Sequence, residues 1–307
     1  MPRASNLRLP IGGRTMVAAV FGDPVEHSLS PAMHNAAYAA LAMNRVYLAF
    51  HVTIDKLPEA LRAIPALNLL GVNLTVPHKQ EALHTVTNLS AEARLLGAAN
   101  CIVAREGALF GDNTDARGLE RDLRELGVTL AGRTAIVIGA GGAAAAAVLA
   151  AIRMEAGHII VVNRTASRAK DLAKRFSATR GSTKIDTAGL DALKYPGVLG
   201  AAAIVLNATP MGLKTAHFAP IEYAATTPEC FFYDLVYAPQ VTPFLKPAAD
   251  AGRRVADGAG MLLHQGVLAF ELFNEVGAPV EAMRRGLMDA LGRGMRGVSR
   301  VARITQT

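Results

Sequence analysis

One short string, Gly139-Ala-Gly-Gly-Ala-Ala144, constrains the fold more than any other part of the chain. It stands between an apolar run at residues 134–138 and an alanine-rich stretch. It fits the pattern G-x-G-x-x-A. Glycines there allow a sharp strand-to-helix turn and a close backbone approach to a pyrophosphate, which the unpaired N–H groups of the helix N-terminus stabilise. Alone the string is a weak signal. Its surroundings strengthen it, because a strand precedes it, a helix follows, and a second apolar strand ends at Asn163. That is the unit of a Rossmann-type dinucleotide-binding domain. The bland alternative is a tight strand-to-helix turn that binds nothing.

The end of the second strand separates two dinucleotides. An NAD site places Asp or Glu there to accept from the ribose 2′-hydroxyl. This chain has Asn163-Arg164-Thr165 instead, with Arg168 one helical turn later, and Glu155 falls too early to reach the ribose. A guanidinium clamps a 2′-phosphate that a carboxylate would repel. The expected cofactor is therefore NADP, against the alternative of an ordinary solvated basic helix start.

The chain has 307 residues, of which 51% are hydrophobic and 19% charged, enough for two domains with sizeable cores. A strand-then-helix rhythm runs along it and argues for parallel α/β architecture. Strands are expected at residues 16–21, 46–50 and 70–75, with helices at 31–43, at 55–64 and after Pro77. Residues 100–103 and 108–110 read as a hairpin around Arg105-Glu-Gly107. After a helix near 115–126, a second series of strands falls at 134–138, 158–163, 204–207 and 231–235. Residues 261–293 read as helical apart from a break at Gly277-Ala-Pro279. Boundaries near 114–117 and Gly258 give an α/β domain over 1–115, a Rossmann-type domain over 116–258, and C-terminal helices over 259–307. Those helices are expected to pack back on the first domain.

Lys and Arg number 32 and Asp and Glu 25, a net charge of +7. The basic residues are scattered, aromatics are only 5% and Trp is absent, which leaves little for stacking on nucleic-acid bases. Residues 135–152 carry no charge, but they hold three glycines and are half alanine, so a membrane span is not expected. Cys101 and Cys230 are the only two cysteines, too few for a disulfide framework. No Cys/His spacing or HExxH suggests a metal. With no apolar stretch near Arg3, Arg8 and Arg14 long enough for a secretory leader, a reducing, cytoplasmic setting is expected.

Three polar constellations carry the remaining chemistry. His27-Ser-Leu-Ser-Pro31 places Pro31 at a first helical position and Ser30 at the expected N-cap; the two hydroxyls beside helix N–H groups suit a carboxylate, or merely cap the helix. Asn73-Leu-Thr-Val-Pro-His-Lys79 sets Asn73 and Thr75 on one face of a strand end, with Lys79 on the next helical turn. Asn100 leads into another strand, and Gly111-Asp-Asn-Thr-Asp115 is a polar turn before a helix. A lysine–aspartate pair can exchange a proton with a substrate hydroxyl. Either residue alone reads more simply as a surface charge.

Taken together, these strings resemble the shikimate dehydrogenase family. The resemblance rests on His27-Ser-Leu-Ser-Pro31 with His34-Asn35, Gly71-Val-Asn-Leu-Thr-Val-Pro-His-Lys79, Gly97-Ala-Ala-Asn100, and Asn113-Thr-Asp115 with Gly118. It continues with Gly139–Ala143, Asn163-Arg-Thr165, Asn207-Ala-Thr-Pro-Met-Gly212, Asp234-Leu-Val-Tyr237, and Gly258-Ala-Gly-Met-Leu262 with Gln265. The resemblance implies that Ser28 and Ser30 hold the shikimate carboxylate. It further implies that Asn73, Thr75, Lys79, Asn100, Asp115, Tyr237 and Gln265 surround the ring hydroxyls, with Lys79 and Asp115 as the catalytic pair. Gly139, Ala140, Gly141, Gly142 and Ala143 would take the NADP pyrophosphate. Asn163, Arg164, Thr165 and Arg168 would take the 2′-phosphate end, with Leu235 and Gly258 beside the nicotinamide. The implied reaction interconverts 3-dehydroshikimate and shikimate in aromatic amino acid (chorismate) biosynthesis, in a metal-free monomer or homodimer that binds neither nucleic acid nor membrane. Two other readings stay open, a quinate/shikimate dehydrogenase of relaxed preference and a ligand-sensing paralogue without catalysis.

Overall fold

The computed structural model describes residues 11–211, 218–237 and 241–293. The chain divides into two compact units: one runs up to Thr114 and resumes at Leu263, and the other is Asp115–Leu262.

The first unit opens with β1 (Met16–Gly22), α1 (Ser30–Ala40), β2 (Arg45–His51), α2 (Leu57–Ala66), β3 (Val72–Leu74) and α3 (His78–Glu81). It continues with β4 (Asn88–Leu89), α4 (Ala91–Leu96), β5 (Cys101–Arg105) and β6 (Ala108–Asp112). Its sheet has the order β2-β1-β3-β5-β6-β4. The sheet is mixed rather than parallel throughout: β1 runs parallel to β2 and β3, whereas β5 is antiparallel to β3 and β6. The antiparallel β5–β6 pair is the expected hairpin, whose Glu106 and Gly107 both take positive φ, at 51° and 79°. Such a two-residue turn returns the chain beside itself in a way no helical crossover does. On one face, Leu57, Leu61 and Ile64 of α2 recur at helical spacing and pack on Ala19, Phe21, Val72 and Leu74.

The second unit comprises α5 (Asp115–Glu125), β7 (Thr134–Ile138), α6 (Gly142–Arg153), β8 (His158–Val162), α7 (Ala166–Arg175), β9 (Lys184–Ala188) and α8 (Pro196–Leu199). It ends with β10 (Ala202–Asn207), β11 (Phe231–Asp234), α9 (Leu245–Asp250) and β12 (Arg254–Asp257). All its strands are parallel, in the order β12-β11-β10-β7-β8-β9. This is the doubly wound arrangement, with its topological switch point between β7 and β10. The uncharged stretch 135–152 is split between β7 and α6, and among the described residues no helix is long and apolar enough to cross a membrane. Residues 144–151 of α6 are all buried, and their alanines let α6 pack closely against α5.

The last helices, α10 (Ala259–Asn274) and α11 (Val280–Ala290), flank the expected break around Pro279. α11 packs on α1, and Phe270 and Phe273 of α10 approach the His34 ring, centroids 6.1 and 6.2 Å away. The C-terminal helices thus pack back on the first unit.

Candidate functional site

The site residues of the first unit start at the N-terminus of α1. The N-cap position there is Leu29, not Ser30 as the sequence suggested, and no side chain caps the helix. Pro31 has no N–H to satisfy, and the Ser28 hydroxyl accepts from the Ser30 N–H at 3.4 Å. That long bond ties the two serines together without capping α1. Ser30 is instead the first helical residue, and its buried hydroxyl bonds to the Tyr47 side chain. Ser28 stays half-buried.

Tyr47 is tied to these candidate residues, a link the sequence reading missed. It is fully buried in β2, and its hydroxyl donates to Asn73 Oδ1 at 2.8 Å. Burial holds that phenol well above its ordinary pKa, so it remains a donor. Its ring stacks on His34 with centroids 4.1 Å apart and an interplanar angle of 15°. His34 is itself fully buried, and burial lowers its pKa to about 3, so the ring packs as a neutral flat surface. The one clue in the sequence was a tyrosine inside an apolar strand, since a buried phenol needs a partner.

From Asn73 the hydrogen bonds run onward. Its Nδ2 donates to the Asn100 carbonyl at 3.0 Å, so Tyr47 and Asn100 together fix which way the amide faces. Asn100, 1% exposed, donates through Nδ2 to Thr114 Oγ1 at 3.0 Å and to Gln265 Oε1 at 3.4 Å. Its Oδ1 accepts the Thr114 N–H at 2.9 Å, and the Thr114 hydroxyl donates to the Gln265 carbonyl at 3.2 Å. Ser30, Asn73, Asn100 and Gln265 are thereby joined in one string. Thr75 and Lys79 flank it, both half-buried. The Thr75 N–H bonds to Phe21 at 3.0 Å, and the Lys79 carbonyl accepts from Ala99 at 2.8 Å, beside Asn100.

The other predicted residues belong to the second unit. Asp115 follows directly on Thr114, is buried, and begins α5. Gly139 adopts φ 120°, and a Cβ there would lie 3.0 Å from the Ala208 carbonyl oxygen, so only glycine suits the end of β7. Ala140 is half-buried; Gly141, Gly142 and Ala143 are exposed, and nothing lies within 4 Å of a Cβ built on either glycine. Gly141 is the N-cap of α6, with no capping side chain and no acidic residue in the first turn. The first N–H groups of a helix lack intrahelical partners, so this open terminus fits a pyrophosphate. At the end of β8, the Asn163 side chain donates to the Thr165 carbonyl at 2.9 Å and closes a turn. Arg164, Thr165 and Arg168 are exposed around the start of α7, with no carboxylate at the strand end, as a 2′-phosphate requires. Leu235 and Tyr237 are half-buried beyond β11, and burial raises the Tyr237 phenol. A Cβ on Gly258 would lie 2.2 Å from the Leu235 carbonyl oxygen, which accounts for glycine there. Gly212 of the predicted motif lies outside the described residues.

Three family models match the chain. They are described as the shikimate dehydrogenase substrate binding domain at residues 20–102, shikimate / quinate 5-dehydrogenase at 122–243, and the shikimate 5′-dehydrogenase C-terminal domain at 258–288. The shikimate dehydrogenase (NADP(+)) of Desulforamulus reducens is 40% identical over 288 residues, covering 92% of this chain and 98% of that one. That of Symbiobacterium thermophilum is 38% identical over 281 residues, covering 91% and 96%. Among solved structures, the shikimate 5-dehydrogenase of Thermus thermophilus, in complex with NADP(H) and shikimate, superposes with a TM-score of 0.80 at 36% identity. That match covers 90% of this chain and 99% of the other. With the three models following one another along most of the chain, and relatives at 38–40% identity matching over nine-tenths of it, the protein belongs to the shikimate dehydrogenase family.

Proposed function

We propose that this protein is an NADP-dependent shikimate dehydrogenase that reversibly links 3-dehydroshikimate and shikimate in aromatic amino acid biosynthesis. The observation that carries this reading is the string of hydrogen bonds from Ser30 through Tyr47, Asn73 and Asn100 to Thr114 and Gln265. A ligand with a carboxylate at one end and several ring hydroxyls matches such a string. Hydroxyl donors stand at its Ser28–Ser30 end, and amides with fixed orientation stand along its length. Its buried polar groups are satisfied within the protein, so the donors and acceptors it offers are set before substrate arrives.

In this reading Ser28 donates to the carboxylate, Ser30 turns its one O–H from Tyr47 to do the same, and Asn73, Thr75, Asn100, Tyr237 and Gln265 hold the ring hydroxyls. Lys79, with Asp115 as its acid–base partner, takes the proton of the 3-hydroxyl as the ring carbon is oxidised, and returns it in the reverse direction. NADP, when bound, accepts or supplies the hydride. The α6 N-terminus and Gly139–Ala143 hold the pyrophosphate, while Arg164 and Arg168 select the 2′-phosphate over the bare ribose of NAD. Cys101 and Cys230 are buried free thiols, compatible with the reducing cytoplasm in which we place the protein as a monomer or homodimer.

One steady-state panel tests the proposal: shikimate and quinate, each with NADP+ and NAD+. The expected outcome is that shikimate with NADP+ has the highest kcat/KM of the four. Preference for quinate would make the protein a quinate dehydrogenase, and no turnover in any arm would make it a sensor.

A further inference from the structure

Two motifs of the second unit carry hydrogen bonds that none of the roles above uses: Asn207 with Thr209 after β10, and Asp234 at the end of β11. The Asp234 carboxylate is 1% exposed but fully engaged. Its Oδ1 accepts from Asn207 Nδ2 at 2.8 Å and from the Val236 N–H at 3.2 Å, and its Oδ2 accepts the Thr242 hydroxyl at 2.6 Å. The donation from Nδ2 fixes the Asn207 amide, whose Oδ1 then accepts both the N–H and the hydroxyl of Thr209, at 3.0 and 2.7 Å. Thr209 in turn accepts the Met211 N–H at 3.3 Å. Beside this turn lies Gly139: a Cβ built there would be 3.1 Å from Thr209 Cγ2 and 3.0 Å from the Ala208 carbonyl oxygen. A string of hydrogen bonds thus runs from Val236, between Leu235 and Tyr237, through the buried Asp234 and Asn207 to Thr209, which stands close beside the glycine turn at the C-terminal end of β7. In a doubly wound sheet, ligands bind at the C-terminal ends of the strands.

We propose that Asp234 and Asn207 are positioning residues. They hold residues 208–211 after β10 and residues 235–237 after β11 in the one arrangement that presents Gly139 to a pyrophosphate and Leu235 and Tyr237 to the reacting end. The inference rests on the NADP site proposed above. A purely structural role would show in melting temperature alone. A positioning role shows in cofactor affinity while the protein stays folded.

The experiment is calorimetric titration with NADP+ alongside thermal melting and kcat/KM for shikimate. Asp234→Ala removes three accepted hydrogen bonds and is expected to weaken NADP+ by about 10–100-fold. Asp234→Asn is expected to stay within about threefold of wild type, because its amide oxygen replaces Oδ1 and the Thr242 hydroxyl can turn to accept from the new N–H. Asn207→Asp sets a second carboxylate against Asp234, in a pocket that Asp257 of β12 and the Tyr223 phenol also face. Relative to wild type at the same pH, its NADP+ affinity is expected to be down about tenfold near pH ~8. It should recover near pH ~6, where a close carboxylate pair holds one proton.

An Asp234→Ala protein that melts cooperatively and binds NADP+ within about threefold of wild type overturns the proposal. So does an Asp234→Asn variant as weak as the alanine. If Asp234→Ala does not fold, the pH recovery of Asn207→Asp decides, and a pH-independent ratio counts against the inference. Absence of shikimate turnover in the wild type, with NADP+ binding intact, would instead strike the functional reading and leave these comparisons valid.

Discussion

The side chain of Asn35 closes both outward backbone groups of Tyr47: its Nδ2 donates to the Tyr47 carbonyl at 2.9 Å, and its Oδ1 accepts the Tyr47 N–H at 2.9 Å. Tyr47 sits in β2, the edge strand of the first sheet. An edge strand leaves a row of unpaired N–H and C=O groups, and here an amide from α1 takes the place of the missing neighbour strand. The same two bonds set where the Tyr47 ring stands between His34 and Asn73.

Asn35→Ala should therefore be felt twice. The two orphaned backbone groups should cost about 1–3 kcal/mol of stability, the penalty for unsatisfied polar groups in a part-buried setting. KM for shikimate should rise through the loosened Tyr47–Asn73 contact, with KM for NADP+ unchanged. Urea unfolding and initial-rate kinetics measure the two. An unchanged shikimate KM in a destabilised protein would reduce Asn35 to edge protection alone.

Cofactor choice should rest on Arg164, exposed at the end of β8 where no carboxylate stands. Replacing it by Ala should weaken NADP+ by about 1.5–3 kcal/mol, the range for a hydrogen bond to a charged group. NAD+ should change much less. Equal losses for both cofactors would remove the 2′-phosphate from this arginine.

Two buried groups should shape acid stability in opposite directions. The His34 pKa falls from 6.5 to about 3 on burial, so the unfolded chain takes up the proton first, and stability drops as pH falls below about 6.5. Asp234 is raised from 3.8 to about 6, also chiefly by burial, so the folded protein takes up its proton first and gains stability as pH falls through about 6 toward 3.8. The two slopes oppose each other between those limits. His34→Leu should flatten the acid loss of melting temperature, and Asp234→Asn should steepen it. Parallel melting curves for all three proteins across pH ~4 to ~7 would contradict both assignments.

The local strings were legible because each declares its chemistry over a few residues. The glycine turn between two apolar elements announced the Rossmann-type second unit, and Asn73, Thr75 and Lys79 share a single strand end and turn. What stayed hidden depends on distance in the chain or on polarity. Tyr47 acquires its role only because β2 lies beside β1 and α1 crosses both, a juxtaposition of residues 35, 47 and 73 that no window contains. Strand β9, Lys184–Ala188, is a sheet edge in which Lys184, Asp186 and Thr187 leave only Ile185 and Ala188 apolar, and β4 has only two residues; neither carries enough apolar pattern to be read. Ser30 looked like an N-cap because serine before proline usually is one. Only the position of Ser28 shows why its hydroxyl turns elsewhere.

Lys79 provides the most demanding test of the mechanism. It begins its work from α3, half-buried, with its backbone anchored to Ala99 and hence beside Asn100. As proposed, its neutral amine takes the proton of the substrate 3-hydroxyl as hydride leaves, and the ammonium so formed returns that proton to the 3-oxygen as hydride arrives. General acid–base assistance contributes about 10²–10⁴-fold, so Lys79→Ala should lower kcat by at least about a hundredfold. Lys79→Met keeps the length and the apolar stem while deleting the charge, and it should be nearly as inactive; that comparison separates lost chemistry from lost packing. NADP+ affinity, measured by titration, should stay near wild type in both, since neither pyrophosphate nor 2′-phosphate falls to this residue. Asp115→Asn should be similarly crippled, and the double variant should lose less than the product of the single losses, because residues that act as one unit are not additive. If Lys79→Met kept more than about a tenth of wild-type kcat, the ammonium would be orienting substrate rather than moving its proton, and the acid–base role would have to pass to another group.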